Sequence, residues 1–419
     1  MLPSVRLSTL PVAEWSVTRR GQVVFAPDRR TGSTERGEMA DEGSMPDVAA
    51  HAAHLLPHLE AVAEQLERNP GAVMRRAFPD SDPGSGSRAI VGPKSGLPPM
   101  AADRIDAALS EERKRLLEVG ASALDTLRAE GAGAVLSAEA RLGIEAIVSV
   151  ARPAMVLQDG AFGDPPPPWA DILGPFRQSI RTTAMSVGRI GVPGLLHLPY
   201  AGTGFMVAED AVMTNCHVAR VFSQHGADGD WSFQPGLEAN LDFVEDPDAR
   251  TADATSPRSV RIEGVIGVHP ALDLALLRVA DGLAKPLPIM SRDPGPLEGR
   301  NVYVLGYPAP DYRNDAATAR LIFGDRYFVK RLMPGTAMAH PADAIFRMEP
   351  CSSGADPDDV MFHDGSTTGG CSGACVVDLD SNQVIGLHFA GKYMQYNEAV
   401  ALWRLVDDPL LTDAGVNFA

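Results

Sequence analysis

Apolar residues follow two different rhythms along the 419-residue chain. From Pro46 to about Phe78, Leu55, Leu59, Val62 and Leu66 recur three and four apart, the period of an amphipathic helix. A second helical stretch carries Ile105, Leu109, Leu116, Leu117, Leu124 and Leu127, and a third runs from Ala138 to about Val150. After Gly188 the rhythm changes. Short apolar segments alternate with Gly, Pro, Asp and Asn: GTGFMVAEDAVMTN, SVRIEGVIGVH, LDLALLRV, NVYVLGYPAP and ACVVDLDSNQVIGLHFAG. Short strands at regular spacing, bounded by turn residues, predict a sandwich or barrel. No internal repeat of solenoid length is visible.

These rhythms divide the chain. Residues 1–46 are polar, rich in Arg, Gly, Ser and Thr, and are expected to be poorly ordered. Residues 47–160 form a helical region, read as regulatory or partner-binding, with an internal linker at 80–99 (DSDPGSGSRAIVGPKSGLPP). A Pro-rich connector over 161–180 leads to a β-rich domain at 181–419. Asp311 to Phe362 is a long insertion in that domain; its LIFGDRYFVKRLMPG has strand character, and Cys351 to Asp359 reads as loop.

Composition narrows the function. A net charge of −17 argues against nucleic acid or an anionic membrane as partner, because phosphate binding needs clustered Lys and Arg. The one short basic run, Arg113, Lys114 and Arg115, is bracketed by Glu111, Glu112 and Glu118 and reads as a solvated helix face. No apolar run reaches the roughly 18 residues of a membrane span, and the first residues lack the pattern of a secretory signal. Four cysteines do not make a disulfide framework. A cytoplasmic protein with reduced thiols is expected, its cysteines packed rather than bound to metal.

Three separated segments each set one polar residue in an apolar strand-and-turn context. In TNCHVA, His217 follows a strand, Ala211 to Thr214; in HPALDLALLRV, Asp273 opens an apolar strand; in STTGGCSGACVVD, Ser372 sits in a glycine-rich turn before the strand Ala374 to Asp378. Singly, each has a plain structural reading as core histidine, turn aspartate or common turn. Jointly they fit acyl-transfer chemistry. A serine hydroxyl is a poor nucleophile until a base takes its proton, imidazole titrates near working pH, and a carboxylate fixes the imidazole tautomer. Gly370 allows its own N–H and that of Ser372 to converge as an oxyanion hole. The order His, Asp, Ser differs from that of subtilisins and α/β-hydrolases.

These segments resemble the chymotrypsin-fold (trypsin-like) serine peptidases: GTGFMVAEDAVMTNCHV their Gly-Thr-Gly-Phe strand and Thr-x-x-His-Val signature, LDLALL their Asp-Leu-Ala-Leu-Leu segment. STTGGCSGACVVDLDSNQVIGLHFAG is similar to the nucleophile block of bacterial glutamyl endopeptidases. The likeness spans roughly Val187 to Leu405. It implies a double β-barrel behind a helical N-terminal region, and a serine endopeptidase without cofactor acting on a protein or peptide. It further implies His217 as base, Asp273 as its orienting carboxylate, Ser372 as nucleophile, the Gly370 and Ser372 amides as oxyanion donors, and Thr367 and His388 as the substrate pocket, with Glu or Asp preferred at the cleaved position. Viral relatives place Gln against a similar His. The alternative is a catalytically silent scaffold on the same fold, and a regulatory partner for the helical region is the matching expectation there.

Two departures matter. Trypsin-type zymogens pair a newly cut N-terminus with an Asp just before the nucleophile, and here that position is Cys371; Arg88-Ala89-Ile90-Val91-Gly92 therefore reads as linker rather than activation site. Glutamyl endopeptidases also use their own mature N-terminus in the specificity pocket, which the long N-terminal region argues against here unless it is removed. Cys371 is a weak rival nucleophile, because Ser372, not Cys371, is followed directly by glycine.

Overall fold

The computed structural model describes residues 15–17, 23–25, 48–77, 99–195, 200–226, 230–244, 259–279, 284–310, 327–341, 356–392 and 395–419. Two compact units are present, Met1–Met45 and Pro46–Ala419. In the first, β1 (Trp15–Val17) pairs antiparallel with β2 (Val23–Phe25).

The second unit begins with helices α1 (Val48–His54), α2 (Leu56–Arg68), α3 (Pro70–Ala77), α4 (Pro99–Glu130) and α5 (Ala138–Ala151). Most of the expected linker lies outside the described residues, and its last residue, Pro99, already belongs to α4. The helical period does what it predicts: Leu59, Val62 and Leu66 of α2, Leu117, Leu124 and Leu127 of α4, and Ile144, Ile147 and Val148 of α5 share one apolar core. Helix α5 starts where the Ser137 hydroxyl accepts the Ala140 N–H at 3.1 Å.

After β3 (Met155–Val156), α6 (Trp169–Leu173) and α7 (Arg177–Ala184) comes the first barrel. Its strands are β4 (Val187–Gly191), β5 (Gly202–Met206) and β6 (Ala211–Thr214), then, past the single turn α8 (Cys216–Ala219) and the hairpin β7 (Ser223–His225) and β8 (Trp231–Phe233), β9 (Ala239–Asp242), β10 (Ser259–Val268) and β11 (Ala275–Val279). The order β10-β11-β6-β5-β4-β9 closes on itself. The second barrel uses β12 (Asn301–Gly306), β13 (Arg331–Met338), β14 (Val360–His363), β15 (Cys375–Asp378), β16 (Val384–Lys392) and β17 (Tyr396–Ala401); β12 pairs with both β15 and β13, which closes it. Strand β3 adds to β13 with Leu332 opposite Met155. The final helix is α9 (Pro409–Asp413). Two six-stranded barrels behind N-terminal helices are the chymotrypsin-like fold expected from the sequence.

The apolar runs are explained by burial on both faces. On β5, β6 and β11, Phe205, Met213 and Leu276 join Tyr303, Leu305 and Leu387 in a core that runs between the barrels. Their neighbours Met206, Val212, Ala275 and Leu277 fill the first barrel instead. Trp169, Leu173 and Ile180 of the Pro-rich connector are fully buried in the same inter-barrel core. The strand character of the insertion resolves as β13; residues 311–326 and 342–355, Cys351 among them, lie outside the described residues. No helix among the described residues is long and apolar enough to cross a membrane.

Candidate active site

His217 sits on α8, just after β6, and Asp273 in the bend before β11, the strand that pairs with β6. That pairing brings the two together. Asp273 accepts the His217 backbone N–H at 2.9 Å and faces the ring Nδ1 at 2.5 Å. The carboxylate is buried, while a third of the imidazole surface stays open. With Nδ1–H held by the carboxylate, the lone pair of a neutral ring lies on Nε2. The bend is set by His269, whose Nδ1 accepts the N–H groups of Ala271 at 3.2 Å and Leu272 at 2.9 Å while Nε2 meets Asp408 at 3.2 Å. Asn215 adds a bond from Nδ2 to the Asp273 carbonyl at 2.8 Å.

Ser372 is the second residue of the latter of two consecutive tight turns, which share Cys371. Cys371 N–H bonds to Thr368 O at 3.1 Å and Ala374 N–H to Cys371 O at 2.9 Å. Gly370 and Gly373 occupy the third position of each turn at φ +86° and +85°, as type II turns require. Gly373 has no room for a side chain, since a Cβ would stand 2.0 Å from Thr203 O and 2.4 Å from Thr214 Oγ1. Among the described residues neither the Gly370 nor the Ser372 amide donates to another protein group. Both remain available to an incoming anion.

This serine turn belongs to the second barrel but docks on the first. Thr203 of β5 donates its N–H to Ser372 O at 2.8 Å and its hydroxyl to Gly370 O at 2.8 Å. Thr214, three residues before His217, donates to Thr203 O at 2.7 Å. At Gly202 a Cβ would touch both the Val218 side chain, at 2.8 Å, and Ser372 O, at 2.9 Å, so the residue after His217 and the serine turn flank one point. No hydrogen bond among the described residues joins Ser372 Oγ to the His217 ring; such bonds commonly tighten only when substrate arrives.

Thr367 and His388 are in the same neighbourhood. Thr367 Oγ1 donates to Asn397 Oδ1 at 2.6 Å, and His388 is buried on β16, its carbonyl accepting the Gly373 N–H at 2.9 Å. Behind it lies a residue that sequence reasoning missed. His363 is wholly buried, with Nε2 3.3 Å from His388 Nδ1. Gly365 N–H donates to His363 Nδ1 at 3.3 Å, which puts the His363 proton on Nε2 and the His388 proton on its own Nε2. Burial lowers His363 to about 4. Burial, then the charges His363 and His217 would carry, keep His388 well below the usual histidine range. The pair is neutral at pH 7 and offers an N–H donor without a charge.

Cys371 is fully buried, and burial pushes its thiol up to about 12; a thiol so protonated is no nucleophile. Cys375 is likewise free and buried. Cys216 is disulfide-bonded, which corrects the expectation of reduced thiols throughout. The sequence offered no warning, because a cysteine beside His217 reads as packing until chain topology supplies a partner. No group of three or more His, Cys, Asp or Glu among the described residues is arranged to hold a metal ion.

Residues 202–387 match the family described as a trypsin-like peptidase domain. A probable serine protease of Lysobacter enzymogenes is 28% identical over 291 residues, covering 61% of this chain and 71% of its own. Among solved structures, the Rv3671c protease of M. tuberculosis in its active form is 20% identical, covering 57% of this chain and 84% of its own with a TM-score of 0.36. A serine endoprotease of Yersinia pestis is 16% identical, covering 57% and 67%, also with a TM-score of 0.36. Residues 202–387, within the C-terminal half, are thus similar to a trypsin-like peptidase domain.

Proposed function

We propose that the C-terminal half is a trypsin-like peptidase domain and a working serine endopeptidase, with His217, Asp273 and Ser372 as its triad. Ser372 Oγ attacks a peptide carbonyl and its proton passes to His217 Nε2. Asp273 steadies the imidazolium that forms, and the carbonyl oxygen, now negative, is received by the Gly370 and Ser372 amides. His217 then gives its proton to the departing amine. The acyl group stays on Ser372 until water, deprotonated by His217, releases it. No bond in this cycle needs a metal or organic cofactor.

The observation that carries the reading is the double grip of Asp273 on His217, on an element whose strand is tied through Thr214 and Thr203 to the turn bearing Ser372. A buried carboxylate is costly unless paired, and this one holds an imidazole that is one third open to solvent.

The reading extends to substrate choice. His388 supplies an N–H donor backed by His363, which suits an acceptor-bearing side chain and supports Glu or Asp at the cleaved position, with Thr367, its hydroxyl proton given to Asn397, beside it. The decisive test compares peptide hydrolysis by the full chain and by Ser372→Ala: turnover drops by roughly 10⁴-fold or more if the triad acts as a unit. Retained turnover in Ser372→Ala overturns the proposal. A peptide-library profile of His388→Ala tests the pocket, and an unaltered profile removes it.

A further inference from the structure

At the end of α5, far in sequence from the serine turn, a fully buried arginine reaches into the second barrel. Arg152 Nε donates to Asp364 Oδ1 at 2.8 Å and one terminal NH₂ donates to Asp364 Oδ2 at 2.7 Å, with both side chains closed to solvent. The same NH₂ meets Thr336 Oγ1 at 3.3 Å and His58 Nδ1 of α2 at 3.0 Å. Asp364 is further held by the Thr336 N–H at 2.6 Å and hydroxyl at 2.7 Å. Burial alone would raise its carboxyl; the charge and hydrogen bonds of Arg152, with those of Thr336, more than offset this and hold it below the usual carboxylate range.

What Asp364 belongs to gives the pair its meaning. It follows His363 at the end of β14 and opens the segment that carries Thr367 and runs into the Gly370 turn. That segment is gripped from two sides. On one, Ser366 Oγ donates to the Arg152 carbonyl at 2.7 Å. On the other, Asn397 Nδ2 donates to His363 O at 3.2 Å and Gly365 O at 2.7 Å while its oxygen receives Thr367. A buried ion pair is weak as a source of stability, since apolar side chains of like volume often serve as well. It is strong as a device for fixing geometry, because a bidentate guanidinium–carboxylate contact allows one orientation.

We propose that Arg152 is a positioning residue for the substrate pocket: by clasping Asp364 and receiving Ser366 it sets the 364–368 segment, and through it Thr367 and the His363–His388 pair. The helical region is then a built-in part of the protease rather than a detachable regulator. The proposal rests on the proteolytic reading above.

The test uses the full chain with variants Ser366→Ala, Ser366→Thr and Arg152→Lys. Active sites are titrated with a fluorophosphonate, and kcat, KM and the cleaved-residue profile are measured per active site. Ser366→Ala removes one hydrogen bond and no charge, and is expected to raise KM for the preferred peptide about tenfold with kcat nearly kept. It should also flatten the profile, and Ser366→Thr should restore both. Arg152→Lys, which keeps charge and loses the fork, is expected to do the same more severely. If Arg152→Lys fails to fold, Ser366→Ala decides. A merely structural clasp would lower the melting temperature of Ser366→Ala and leave its KM and profile at wild-type values, and that outcome overturns the proposal. Absence of fluorophosphonate labelling in the wild type instead overturns the proteolytic reading, and the proposal with it.

Discussion

Asp273 holds His217 at two points, accepting its backbone N–H at 2.9 Å and facing its ring Nδ1 at 2.5 Å. One oxygen fixes where the residue sits and the other fixes which ring nitrogen keeps its lone pair free. An amide can imitate the first contact but not the second without presenting an N–H to the ring. Asp273→Asn is therefore expected to keep the fold and lower kcat by about 10⁴-fold. Circular dichroism together with peptide hydrolysis checks both halves; a variant retaining a tenth of wild-type kcat would refute the role.

The serine turn depends on a residue with no side chain. At Gly373 a methyl group meets Thr203 O and Thr214 Oγ1 well inside contact distance, and φ is +85°. Gly373→Ala is expected to cost at least about 2 kcal/mol from the left-handed conformation and the backbone clash together, and to abolish turnover. Chemical denaturation of the variant measures the first effect. A stability within error of wild type would mean that the two barrels do not meet here as described.

Stability should fall in mild acid. His363 is buried and neutral, with its pKa lowered from 6.5 to about 4, and His51 of α1 is lowered likewise, mainly by burial. The unfolded chain takes up these protons near pH 6.5 and the folded one only near pH 4. Their contribution is thus complete above pH 6.5, is lost as pH falls between the two values, and is level below. For His363 the loss is about 3 kcal/mol. Denaturation midpoints across this window should drop, and His363→Gln should flatten the slope. A stability rising toward pH 4 would show the histidines charged in the fold.

Cys371 and Ser372 are adjacent but chemically unlike. The thiol is buried with its pKa near 12, and its Sγ faces Met333 Sδ at 4.0 Å rather than a base. Cys371→Ala should retain turnover within roughly threefold, with a modest loss of stability from the small cavity. A collapse of turnover in Cys371→Ala, measured per folded protein, would reopen the cysteine as nucleophile.

Much of the second unit is legible in the sequence because its signals are local. Strand period, turn glycines and helix spacing need only a few neighbours, so β6, β11 and the Leu59, Val62, Leu66 face of α2 follow directly from residues close in the chain. The nearness of His217 and Asp273 was legible in a different way, through flanks shared with a known family. The clasp between Arg152 and Asp364 was not legible, since 212 residues separate them and neither stands in a distinctive motif. His363 escaped for a related reason. It sits in an ordinary apolar strand, and only the pairing of β14 with β17 and of β17 with β16 sets it behind His388. Burial makes these polar residues part of the interior framework, and burial is a property of the whole fold.

The most direct test treats the full chain with a fluorophosphonate and locates the adduct by mass spectrometry. The account predicts a single modification on Ser372, abolished in His217→Ala although that variant keeps its circular dichroism spectrum. No adduct, an adduct elsewhere, or equal labelling of Ser372 without His217 would contradict it.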